Sequence, residues 1–159
     1  MPPPDSSAAQ APTRPASCTH LKTRKLMRLL SRLYDAELQA VGLKATQYAL
    51  LTHVARRSPI GFSDLAARLA LDSSTLSRNL KPLITSGWIR LREGQDARRR
   101  LVTITAAGSA KQIAAESPWR TAQERVEAVL GRDRLAALHA VLDESIGALA
   151  DTAAGVGSR

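Results

Sequence analysis

The chain has 159 residues, 44% of them hydrophobic, with five aromatic residues and a single cysteine. A chain of this length buries roughly two thirds of the surface its unfolded form exposes, so its core needs no disulfide or structural metal, and one cysteine makes no internal bridge. No apolar run reaches the roughly 18 to 20 residues of a membrane-spanning helix and no basic-then-apolar leader opens the chain, so a soluble, cytoplasmic protein without a membrane partner is expected. Lys and Arg number 23 against 14 Asp and Glu, a net charge of +9 that favours polyanions without choosing among nucleic acid, acidic protein and acidic lipid.

In chain order, residues 1–17 hold five prolines among Ser, Ala and Gln and almost no large apolar side chain, which predicts a disordered tail. One domain is expected over 18–150. From His20 to Val41, leucines recur at helical spacing while Lys22, Arg24, Lys25 and Arg28 take other faces, and Gly42 closes this first helix. A second helix follows Leu43 and ends before Pro59 and Gly61; a short third is expected with Ser63 as its N-cap and Asp64 in its first turn. The run Asp72-Ser73-Ser74-Thr75 supplies capping side chains for a fourth helix, over 73–86, in which Leu76, Leu80, Leu83 and Ile84 share one arc. Trp88–Arg92 and Leu101–Thr105 read as two strands joined by a basic loop, 93–100. The C-terminal third reads as a helix over 106–130 interrupted near Ser117-Pro118 and a second over 133–150, with a frayed end at 151–159. The expected fold is thus mainly α with a small β-hairpin wing.

Helices followed by a hairpin, the third and fourth joined by a tight turn, give the order of a winged helix-turn-helix. On the fourth helix a rotation of about 100° per residue places Ser74, Arg78, Lys81 and Thr85 opposite the leucines, on a face without acids. Ser73, Ser74, Thr75 and Ser77 are short enough to approach phosphates and base edges closely, and Arg78 and Lys81 long enough to reach guanine or the backbone. The alternative for these residues is a capped helix with a solvated cationic face. At the loop tip Arg98, Arg99 and Arg100 follow Asp96, a density of charge that calls for a polyanion, with arginine suited to a narrow minor groove. Asp96 is the expected organiser, holding the Arg98 guanidinium and leaving Arg99 or Arg100 as the deeper probe.

The run from Gly42 to Tyr48, the segments Asp64-Leu65-Ala66, Leu71–Arg78 and Gly87-Trp88-Ile89, the Asp96-Ala97-Arg98 wing motif and the strand ending Thr105-Ala106-Ala107-Gly108 resemble the MarR family of bacterial transcription regulators over about 18–150. The resemblance implies a homodimer whose terminal helices, about 20–41 and 106–150, interlock, and a DNA-binding part at about 43–105. It also implies a repressor relieved by a small aromatic or lipophilic effector bound between the two. From the residues alone, the terminal helices carry more apolar surface than a small winged domain covers, which calls for a partner. A two-fold dimer would read a palindromic site in double-stranded DNA.

Weaker signals are read beside their plainer alternatives. Tyr34, His53 and Trp119 are candidates to line a ligand pocket, or are ordinary core. Cys18 is a redox candidate: relatives that sense hydroperoxides use a cysteine at the start of the first helix with two tyrosines, but here Tyr34 fits one position, Ala45 stands at the other and Cys18 lies about two residues early. No metal, cofactor or catalytic constellation is expected, so the chain is read as no enzyme. The rival function is a nucleic-acid binder that works through charge without sequence preference.

Overall fold

The structure, a computed structural model, describes residues 18–94 and 99–156. Helix α1 (Thr19–Leu38) tightens into a 3-10 turn at Gln39–Val41, and Gly42 closes it in the left-handed conformation, φ 64°, which lacks a steric penalty only for glycine. The start of α2 (Ala45–Arg57) is fixed from two sides. Gln47 Oε1 accepts the Lys44 N–H at 2.9 Å, and Asp35 Oδ1, on α1, accepts the Ala45 N–H at 2.7 Å. Both amides would otherwise lack a partner at a helix start.

After α2 the chain forms a two-residue strand, β1 (Ile60–Gly61), where the sequence suggested only helix-breaking residues. Helix α3 (Phe62–Arg68) begins earlier than expected: Gly61 is its N-cap, and Ser63 lies inside the first turn beside Asp64 instead of capping it. Helix α4 (Ser73–Thr85) starts at the expected cap, with Asp72 accepting the Thr75 N–H. Its stripe of Leu76, Leu80 and Leu83 is 0% exposed. Pro82 stands inside this helix and offers no amide to the Arg78 carbonyl four residues before it.

The hairpin consists of β2 (Ile89–Glu93) and β3 (Arg100–Ile104), paired antiparallel from Ile89 opposite Ile104 to Glu93 opposite Arg100. Strand β1 adds to the other edge of β3, giving the order β1-β3-β2. Trp88, expected to begin the first strand, instead ends the turn after α4, its N–H donated to the Leu83 carbonyl at 2.9 Å. Three helices follow: α5 (Ala106–Ala114), α6 (Glu116–Leu130) and α7 (Arg132–Val156). The expected interruption falls at buried Ala115, just upstream of Pro118, because proline is tolerated in the first turn of α6, where its missing amide has no intrahelical partner to lose. The backbone of α7 remains helical beyond Ala150, as far as Val156.

Two apolar clusters organise the molecule. The larger joins α2, α3, α4 and the sheet around residues such as Leu51, Leu65, Leu80 and Val102. The smaller gathers Leu38, Leu43, Tyr48 and Ala115 where α1, α2 and the α5–α6 junction meet. Trp88 packs against both and so couples the winged unit to the terminal helices. Helix α1 lies along α6, joined by the Tyr34 hydroxyl donating to Gln123 Oε1 and by an Arg125–Glu37 ion pair. Among the described residues, no helix is long and apolar enough to cross a membrane.

Candidate nucleic-acid interface

The outer arc of α4 is as the sequence suggested: Ser74, Ser77, Arg78, Lys81 and Thr85 are all exposed, opposite the buried leucines. Asp72 orders the start of this arc. Its Oδ1 accepts the Ser74 hydroxyl at 2.5 Å and the Thr75 N–H at 2.8 Å, while Oδ2 accepts the Thr75 hydroxyl at 2.7 Å. The hydroxyl of Ser74, then that of Thr75 and the Thr75 amide, hold the Asp72 carboxyl far below the usual carboxylate range. An ionised carboxylate only accepts, so both hydroxyl protons point inward at Asp72. Ser74 and Thr75 therefore turn lone pairs outward, fit to accept from an amino group on a base edge and unfit, in this arrangement, to donate to phosphate. Arg78 Nη2 in turn donates to Thr75 Oγ1 at 3.1 Å, which holds the guanidinium close to the helix start.

On the wing, Arg99 and Arg100 are exposed, whereas Asp96 and Arg98 lie outside the described residues. The Gly94 N–H donates to the Arg99 carbonyl at 2.6 Å, so the ladder continues one step past the Glu93–Arg100 pair. Arg90 and Arg92 are exposed on β2. The base of the wing is tied to α4 and α5 by Thr105, whose hydroxyl donates to the Gly87 carbonyl at 2.7 Å and accepts the Gly108 N–H at 3.0 Å. Gly108 lies against the Trp88 carbonyl, closer than any Cβ could approach. The Thr105-to-Gly108 spacing is thus a joint: one hydroxyl caps α5 and grips the turn after α4, and the missing side chain lets the two backbones meet.

Tyr34, His53 and Trp119, scattered in sequence, meet around one cavity of about 380 Å³ between α1, α2 and α6. Tyr48, Thr52 and Arg56 complete its wall, spaced four apart along one face of α2. The Tyr48 and Trp119 rings are 6.2 Å apart and tilted by 34°. The Thr52 hydroxyl is buried with no hydrogen-bond partner among the described residues, an uncommon state for a buried donor. Burial first, then Arg57, Arg56 and Arg68, hold the His53 imidazole below its ordinary value, favouring the neutral ring, and burial raises the Tyr34 phenol. Sequence reading missed Tyr48, Thr52 and Arg56 as wall residues, although their four-residue spacing beside His53 was there to be seen.

The MarR family model matches residues 41–100. The transcriptional regulator MosR of M. tuberculosis, solved in complex with DNA, is 33% identical, covers 83% of this chain and 98% of its own, and superposes with a TM-score of 0.72. The chain belongs to the MarR family. PcaV of Streptomyces coelicolor, solved with its natural ligand, shares the MarR fold at a TM-score of 0.76 with 20% identity, over 88% of this chain and 99% of PcaV. The HTH-type transcriptional regulator YwoH of Bacillus subtilis (strain 168) is 27% identical over 84 residues, which are 53% of this chain and 61% of YwoH.

Within this MarR fold Cys18 is an exposed free thiol immediately before α1, and it is not among the residues lining the cavity that contains Tyr34. Along one chain Cys18 and Tyr34 thus stand sixteen positions apart, Cys18 before the start of α1 and Tyr34 in its last turns.

Proposed function

We propose that the chain is a homodimeric, sequence-specific DNA-binding transcription regulator, a repressor released by a small aromatic ligand. The observation that carries this reading is the two-sided character of α4: Leu76, Leu80 and Leu83 are at 0% exposure, while Arg78, Lys81 and Ser74 stand in solvent with no acid on that arc. A helix so held enters a major groove with its cations toward bases and phosphates, and the wing arginines suit the adjoining minor groove. The structure of MosR, a third identical, in complex with DNA supports a DNA-binding role for this chain.

Large apolar side chains exposed on α7 call for a second copy as cover: Ile146 at 63% and Leu149 at 70% continue the stripe that begins with buried Leu135, and Val141 at 60% adds a further apolar group on another face. Two-fold pairing sets the α4 helices about 34 Å apart, one turn of duplex, which requires a palindromic site. The cavity at Tyr34, His53 and Trp119 has the volume of a small-molecule site, its aromatic walls suit a ring, and Thr52 and Arg56 offer a hydroxyl and a cation to an acidic or phenolic substituent. Its position between α1, α2 and α6 lets an occupant bias how the terminal helices hold the winged unit.

Selection of duplexes from a random library, followed by competition against excess random DNA, tests the reading. A regulator of this kind enriches an inverted repeat and keeps it under competition. Equal affinity for selected and random duplexes would instead assign the protein to charge-driven binding without sequence preference.

A further inference from the structure

The wing arginines differ in what supports them. Along β3 successive side chains alternate, so Arg100 shares a face with Val102 and Ile104, and Val102 is fully buried in the winged core. Arg100 therefore extends over the helical side of the sheet, and its guanidinium carbon lies 4.4 Å from the centre of the Phe62 ring. Phe62 is 5% exposed and belongs to the main core cluster, so the ring is a fixed platform. Arg99 immediately precedes the strand and, among the described residues, stacks on no ring. Beside the stacked pair lies a hollow of about 350 Å³ that Ser63, Asp64, Ser73, Arg99 and Arg100 line from α3, α4 and the wing stem.

We propose that Arg100 is a positioning residue braced on Phe62, forming the cationic wall of a hollow that seats one backbone phosphodiester of the duplex, and that it does not probe a groove. The inference rests on the DNA-binding reading above. A guanidinium held over an aromatic ring loses reach but keeps outward-facing donors free, which suits a phosphate at a fixed place. The hydroxyls of Ser63 and Ser73 supply neutral donors on the other walls. Asp64 on the rim opposes an anion, and two guanidinium groups against one carboxylate leave the hollow positive. The wing and the start of the recognition helix are thereby registered on the same strand, because one phosphate touches both. Arg99, which also lines the hollow but rests on no ring, is free to swing out and read groove shape.

The test uses the full-length protein and a duplex that it has itself selected from a random library. If no sequence is enriched, the DNA-regulator reading fails and the phosphate seat proposed for Arg100 falls with it. With an enriched duplex in hand, methylphosphonate is placed at one linkage at a time to remove a single charge. One linkage per half-site is expected to weaken wild-type binding about tenfold when neutralised and to have no further effect in Arg100→Ala. Reselection with Arg100→Ala is expected to return the wild-type base preferences, whereas Arg99→Ala broadens them next to the wing. Phe62→Tyr keeps the ring and should bind as wild type. Phe62→Leu should bind as Arg100→Ala does, and the double variant no more weakly than Arg100→Ala alone. If Phe62→Leu does not fold, the linkage scan on Arg100→Ala decides, since that side chain is exposed. The proposal is overturned if Arg100→Ala loses preference at any base pair, or if no linkage falls silent in it.

Discussion

Replacing Gly108 with alanine is expected to destabilise the protein, against the ordinary trend in helices. An added Cβ would lie 2.9 Å from Ile104 Cγ1 and from the Trp88 carbonyl carbon, and nearer still to the carbonyl oxygen. Neither neighbour gives way cheaply. The Trp88 carbonyl accepts the Thr105 N–H at 3.0 Å, and the Trp88 N–H is donated to Leu83 at 2.9 Å, so moving this peptide disturbs the end of α4 and the base of the wing together. Overpacking against backbone costs about 3 kcal/mol, the upper part of the usual range. Alanine recovers up to about 1 kcal/mol through its better helix propensity. The net loss of about 2 kcal/mol, or more if the Thr105 cap is also displaced, corresponds to a Tm lower by roughly 4–8 °C for a chain of this size. Far-UV circular dichroism melts at one fixed protein concentration measure it, the concentration being held because association shifts Tm. Ala107→Gly, at the exposed neighbouring position, serves as control and should lose only about 0.5 kcal/mol. A Gly108→Ala protein that melts at or above the wild-type temperature would refute the close-approach argument.

Four further outcomes are expected. Arg78→Ala should broaden base preference at particular positions and weaken the selected duplex by about 1–3 kcal/mol, with Lys81→Ala weakening all duplexes more evenly and lowering the salt slope by about one; titrations at several salt concentrations separate them. Asp72→Asn gives the cap an amide that can itself donate, so one hydroxyl proton of Ser74 or Thr75 turns outward, and reselection should shift the adjoining base pair from amino-bearing edges toward acceptor edges. His53, depressed below its ordinary value of 6.5 by burial and then by Arg57, Arg56 and Arg68, binds protons more readily in the unfolded chain. Stability is therefore full above the unfolded value and declines as pH falls through the folded one, so His53→Gln should flatten the Tm profile between about pH 7 and 5. Ile146→Glu, placing charge in an exposed apolar stripe, should yield monomer by sedimentation velocity and leave α-helical content intact.

Much of this architecture is written locally. Helices α1, α2 and α4 announce themselves through leucine spacing, Gly42 and the Asp72 cap, because side-chain period and capping act within a few residues. The outer arc of α4 follows from the same rotation. Strand β1 does not announce itself: two residues have no period, and Ile60–Gly61 is extended because β3 offers a free edge. The Ser63 cap was misread for a related reason, since a glycine turning out of a strand can start a helix as well as a hydroxyl can. The gathering of Tyr34, His53 and Trp119 needed the packing of α1 and α6 on α2, which no local pattern encodes. The inward face of Arg100 was legible in principle from its alternation with Val102 and Ile104, but an arginine triplet reads as a uniform patch until the register is known.

Pro82 keeps α4 from being stable on its own. Proline within a helix costs about 3 kcal/mol in lost bonding and steric conflict, more than the intrinsic preferences of Ser, Thr and Asn in this segment could offset. Helix α4 therefore exists only while its leucines are gripped from behind. Excised as a peptide it would be a random coil, and any event that loosens the grip of the core on Leu76, Leu80 and Leu83 would unravel the helix before it displaced it.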